Sequence, residues 1–141
     1  MEHANEAPGA PAILVIDDEV DLLDLFAKRL ARAGFDVSTA ATGAEAIALL
    51  DAREFRVVIC DIHMPDGVSG FDVLAHVRGA GRAPVGFLFV TGHGEGTPEM
   101  ELAQSMGVDG VYVKPIPSKV LIAHLRQLCG LPELVVPPVA T

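Results

Sequence analysis

Positive charge is scarce in this sequence: 10 Lys and Arg stand against 19 Asp and Glu, a formal net charge of −9. A surface this acidic repels phosphate backbones and leaves no footprint for direct nucleic-acid binding. Any role in transcription would be indirect or require a further domain. There are 2 cysteines, Cys60 and Cys129, too far apart for a metal-like or redox-like spacing. Cys60 sits inside an apolar run, where a reduced buried thiol is expected. No apolar stretch approaches the length of a membrane span, and residues 1–11 lack the basic, apolar pattern of a signal peptide. These absences favour the cytoplasm and no membrane contact. No repeat at solenoid spacing is present. What remains is a chain of 141 residues, 50% of them hydrophobic, enough for one globular domain with a proper core.

Short apolar runs alternate with helix-like segments along the chain. Strands are expected at residues 12–16, 35–39, 56–60, 84–90 and 110–113, and helices at 20–33, 44–52, 71–78, 98–106 and 118–129. In the first helix, Leu22, Leu23, Phe26 and Leu30 fall on one face, and Gly34 is a suitable stop. Ile47 and Leu50 are the core candidates of the second. Pro98 suits a first helical turn. The segment Gly92-His93-Gly94-Glu95-Gly96 is glycine-rich and expected to move. Residues 1–11 read as a flexible N-terminal tail, 12–130 as the folded domain, and 131–141 as a Pro-rich tail or linker stub. A βα unit repeated in this way implies an α/β fold, a doubly wound five-stranded parallel sheet with helices on both faces.

Polar residues close four of the apolar runs. Asp17-Asp18 follows the first, Asp61 the third, Thr91 the fourth and Lys114-Pro115 the fifth. In an open parallel sheet, ligands bind at the carboxyl ends of the strands. Three carboxylates, a hydroxyl and one ammonium would converge there, a set suited to a hard cation and a phosphoryl group. Taken singly, each has an ordinary reading as a turn, cap or solvated loop residue. Their joint occurrence at strand ends, in order, is what carries chemical meaning.

In these residues the chain resembles the receiver domain of two-component response regulators, the CheY-like family. The acidic pair Asp17-Asp18, Asp61 in an Asp-x-x-Met-Pro setting, Thr91 and Lys114-Pro115 all match, and the resemblance covers roughly residues 12–130. It implies a flavodoxin-like (βα)5 fold with strand order 2-1-3-4-5. It also implies that Asp61 accepts a phosphoryl group from the phosphohistidine of a sensor histidine kinase or phosphotransfer protein. Asp18, Asp61 and the His63 backbone carbonyl would bind Mg²⁺ directly, with Asp17 acting mostly through water. Lys114 would pair with Asp61 and then with the phosphoryl oxygens, to which the Thr91 hydroxyl would also donate. Such a protein switches a downstream output protein or domain, as a monomer or weak homodimer, and catalyses only its own phosphorylation and dephosphorylation.

Three features depart from the family's pattern. Val111 stands where an aromatic residue usually precedes the lysine by three positions, and Tyr112 should face the other way. The loop after Asp61 is one residue longer, with Ser69 at the usual glycine place and Gly70 after it. Gly92 replaces the more frequent alanine. Without the ring, switching is expected to lean on the 92–96 loop and the fourth helix. His63 and His93 either tune the lifetime of the acyl phosphate or are exposed loop residues without consequence. A zinc site at these histidines lacks supporting spacing. Competing readings are a phosphate sink or relay, the excised receiver of a larger regulator or hybrid kinase, and an aspartate-based phosphohydrolase. The last generally carries an acid two residues after its nucleophile, where this chain has His63.

Overall fold

The computed structural model describes residues 9–65, 67–80, 86–92, 94 and 96–132. Residues 1–8 of the expected 1–11 tail, the start of the fourth strand at Pro84, the loop residues His93 and Glu95, and residues 133–141 of the expected 131–141 segment lie outside the described residues. The strands are β1 (Ala12–Ile16), β2 (Asp36–Ala40), β3 (Val57–Asp61), β4 (Gly86–Thr91) and β5 (Gly110–Val113). The helices are α1 (Val20–Arg32), α2 (Gly43–Ala52), α3 (Gly70–Gly79), α4 (Pro98–Ser105) and α5 (Ser118–Leu128). All neighbouring strands pair in parallel, in the order β2-β1-β3-β4-β5 implied by the resemblance. No helix among the described residues is long and apolar enough to cross a membrane.

Successive residues of a strand point to opposite faces, so each central strand feeds two cores. Leu14, Ile16, Val58, Cys60, Phe87 and Phe89 pack on one side with Ala46, Val73, Leu74, Val77 and Ala103 from α2, α3 and α4. Ile13, Val15, Val57, Ile59, Leu88 and Val90 pack on the other with Leu23, Leu30, Leu121 and Leu125 from α1 and α5. The central strands are thereby covered on both faces, which is why they read as unbroken apolar runs. The same alternation places Val111 against the first core and Tyr112 against the second, as expected.

Several boundaries differ from the sequence reading. β2 starts one residue later, at Asp36, whose buried carboxylate accepts from Arg53 at 2.9 Å. β3 and β4 each extend one residue further, because Asp61 is in register with Val90 and Thr91 with Val113. The two polar residues are therefore held by the sheet rather than by the loops that follow. In α1, Leu22 is not a core residue and is 52% exposed, whereas Leu23 and Leu30 are buried. α1 stops at Arg32, with Ala33 as its cap and Gly34 at φ 104°. In α2 the buried residues are Gly43 and Ala46, with Ile47 half-buried and Leu50 only partly buried against the core. α3 gains a residue at each end, its start fixed by a capping box between Ser69 and Asp72.

Candidate functional site

The sheet register brings the carboxyl ends of β1, β3, β4 and β5 together. One carboxylate oxygen from each of Asp17, Asp18 and Asp61 lies within 4.8 Å of the others. Lys114 Nζ reaches into this group, 2.8 Å from Asp61 Oδ2, 2.9 Å from Asp17 Oδ2 and 3.1 Å from Glu19 Oε1. The Lys114 backbone N–H donates to the Thr91 carbonyl at 2.8 Å, which anchors the end of β5 to β4. The Lys114–Pro115 peptide bond is cis. Asp18 is exposed, and its carboxylate makes no hydrogen bond or ion pair among the described residues.

Asp61 is 6% exposed. Its Oδ1 accepts from the His63 backbone N–H at 3.0 Å, which leaves the carboxylate held on both oxygens. Behind it the backbone is tightly seated. The Ile62 N–H donates to the Val90 carbonyl and the Gly70 N–H to the Ile62 carbonyl, both at 2.9 Å. A Cβ at Gly70 would lie 2.6 Å from the Asp61 carbonyl oxygen and 2.9 Å from Ile62 Cα, so only glycine fits there. The extra loop residue is thus absorbed without separating α3 from the end of β3.

Burial pushes the Asp61 carboxyl up from its ordinary range; the Lys114 ammonium and the His63 N–H oppose this, and the Asp17 charge adds to it. Burial alone would lower the Lys114 ammonium, but its bonds to Asp61, Asp17 and Glu19 outweigh that and hold it above its usual value. The Cys60 thiol is raised well above its ordinary value by burial and by the neighbouring Asp61 and Asp17 charges, matching a free, buried, inert cysteine.

The raised Asp61 value fixes the sign of a stability effect. An acid that binds its proton more tightly when folded costs stability once ionised. The cost is absent below its unfolded pKa and complete above its folded one. Asp61→Asn should therefore be more stable than wild type at neutral pH without divalent cations, and the gain should shrink as pH falls toward about 4. Paired denaturant titrations in chelator at both pH values measure this; a gain independent of pH would assign it to something other than the buried charge.

Thr91 is fully buried, and its hydroxyl donates to Glu99 Oε1 at 3.1 Å. Glu99 lies in the first turn of α4, after the Thr97 cap and Pro98. Its second carboxylate oxygen pairs with His63 Nε2. The structure thus brings together Asp17, Asp18, Asp61 and Lys114, and connects Thr91 and His63 through a residue that sequence reasoning read only as helix. Glu19 was missed in the same way, although it directly follows the acidic pair.

The response regulator receiver domain family matches residues 13–126 of this sequence. The chain belongs to that family. It is 31% identical over 116 residues to the transcriptional regulatory protein CpxR homolog of Haemophilus influenzae, covering 82% of this chain and 49% of that protein. The chain spans about half the length of the curated relatives it matches. Among solved structures it resembles the chemotaxis response regulator CheY4 of Vibrio cholerae, with a TM-score of 0.72 and 30% identity, covering 84% of this chain and 98% of that one. A CheY-like receiver from Methanospirillum hungatei shares the fold with a TM-score of 0.76 at 24% identity, covering 86% and 96% of the two chains. The protein is a receiver domain of two-component signalling with a CheY-like, flavodoxin-like fold.

Proposed function

We propose that Asp61 is the phosphoacceptor and that its modification switches the binding of an output partner. The observation carrying this is one buried carboxylate at the end of β3, bonded by Lys114 and clustered with Asp17 and Asp18. An Asp61 oxygen attacks the phosphorus of a donor phosphohistidine. The P–N bond breaks, the imidazole leaves, and an acyl phosphate forms. Lys114 turns toward the new phosphoryl oxygens, and the Thr91 hydroxyl donates to them as well. This is positioning and charge stabilisation more than covalent work by the protein.

The donor set suits Mg²⁺: three clustered carboxylates are hard oxygen ligands that repel one another without a cation. Asp18 and Asp61, with the His63 carbonyl, would hold the ion, and Asp17 would contact it through water, since magnesium keeps part of its hydration shell. When bound, the ion neutralises charge on the carboxylates and on the phosphoryl oxygens. The exposed Val20, Leu22 and Leu25 of α1 offer the donor protein an apolar surface beside the site. Residues 12–130 form the receiver unit in this reading, acting in the cytoplasm. A phosphohydrolase reading lacks its second acid, because His63 occupies that place and pairs with Glu99.

The half-length match to transcriptional regulatory proteins supports a second arrangement, in which this receiver works joined to an output domain. The test of the acceptor reading is acetyl phosphate with intact-protein mass spectrometry in the cold. The expected result is a single phosphate adduct in Mg²⁺ that is lost in chelator. Absence of any adduct in Mg²⁺ would overturn the reading.

A further inference from the structure

We propose that Glu99 is a latch on Thr91, a positioning residue that holds the threonine hydroxyl until a phosphoryl group on Asp61 takes it away. The inference rests on the acceptor reading of Asp61. A hydroxyl has one proton to donate. Here the Thr91 Oγ1 donates it to Glu99 Oε1 at 3.1 Å, and Thr91 is fully buried. The other oxygen of Glu99 pairs with His63, two residues beyond Asp61. One carboxylate therefore ties the first turn of α4 to the end of β4 and to the loop after β3.

A phosphoryl group on Asp61 is anionic and offers acceptor oxygens to the same hydroxyl. One proton cannot serve both carboxylate and phosphoryl group, and the two anions repel each other. Recruiting Thr91 to the phosphoryl oxygens thus breaks its bond to Glu99 and releases one tether of α4. This carries the state of Asp61 to α4 without a ring at position 111, where the chain has Val111, partly buried against the core. The latch also has a cost: part of the affinity for the phosphoryl group is spent on opening it.

Beryllofluoride, a phosphoryl mimic, tests this in saturating Mg²⁺ by fluorine NMR or calorimetry. Glu99→Ala should bind it about tenfold or more tighter than wild type, the lower end for one charge-assisted hydrogen bond. Glu99→Gln keeps an acceptor for the hydroxyl and should fall between the two. Glu101→Ala removes an equal charge from an exposed position on the same helix and should change little. In a Thr91→Val background, which keeps the shape and removes the hydroxyl, Glu99→Ala should have no effect. An unchanged affinity in Glu99→Ala, an equal gain in Glu101→Ala, or a gain that persists in Thr91→Val would each overturn the latch alone. Failure of the wild type to bind beryllofluoride would overturn the acceptor reading and the latch with it.

Discussion

Asp61→Asn will carry no phosphate adduct under conditions in which the wild type carries one. The substitution removes the nucleophile and its negative charge while keeping the side chain's shape. An amide has the carboxylate's shape, and its carbonyl oxygen can still accept from Lys114 or from the His63 N–H, which now bond the two carboxylate oxygens. An amide nitrogen, with its lone pair delocalised, does not attack phosphorus as a carboxylate oxygen does. The fold should survive, since Lys114 keeps Asp17 and Glu19 as partners. Intact-mass measurement after acetyl phosphate gives the answer in one experiment. An adduct of equal yield on the Asn variant would move the acceptor role elsewhere, with Asp17 and Asp18 the first positions to examine.

Lys114→Met should have the second largest effect, and it should be visible before any phosphoryl donor is added. Methionine keeps an apolar stem of similar reach while deleting the charge. Asp61 would then be buried beside Asp17 and Glu19 with no ammonium among them. Removing one partner of a buried pair is costly because the other charge stays behind. Lys114 is 24% exposed, so solvent softens the loss to about 1–2 kcal/mol. Chemical denaturation in chelator should show that deficit, and Mg²⁺ should recover part of it by supplying positive charge to the same carboxylates. Adduct formation should also fall by about tenfold or more, because an ammonium aimed at developing phosphoryl charge is lost. Stability and adduct yield equal to wild type would show that the three ion pairs are incidental.

The parallel sheet was legible in the sequence because its central strands are buried on both sides and so leave continuous apolar signatures. The chemistry at the strand ends was legible for a related reason: polar residues close four such runs in order, although each alone would pass for a turn, cap or loop residue. What escaped were features that depend on contacts between distant segments. Asp36 starts its strand where its N–H meets the Pro11 carbonyl and its carboxylate meets Arg53, and nothing in the local pattern announces either partner. Leu22 fits the apolar stripe of α1 yet faces solvent beside the site. The role of Glu99 depends on where the first turn of α4 comes to rest against β4. An acidic residue after Pro98 is otherwise an ordinary complement to the helix dipole.

The close seating of Gly70 against the acceptor's own backbone gives the site two unequal walls. On one, the Asp61 carbonyl, Ile62 and the start of α3 are in contact with no room for even a methyl group. On the other, the Thr91 hydroxyl meets the first turn of α4 through an exchangeable proton, while Ala103 further along that helix packs in the core. A change at Asp61 therefore cannot be relieved by its own strand moving back into the sheet. If the Thr91–Glu99 contact opens as proposed, the α4 side is where a binding partner is expected to read this protein's state.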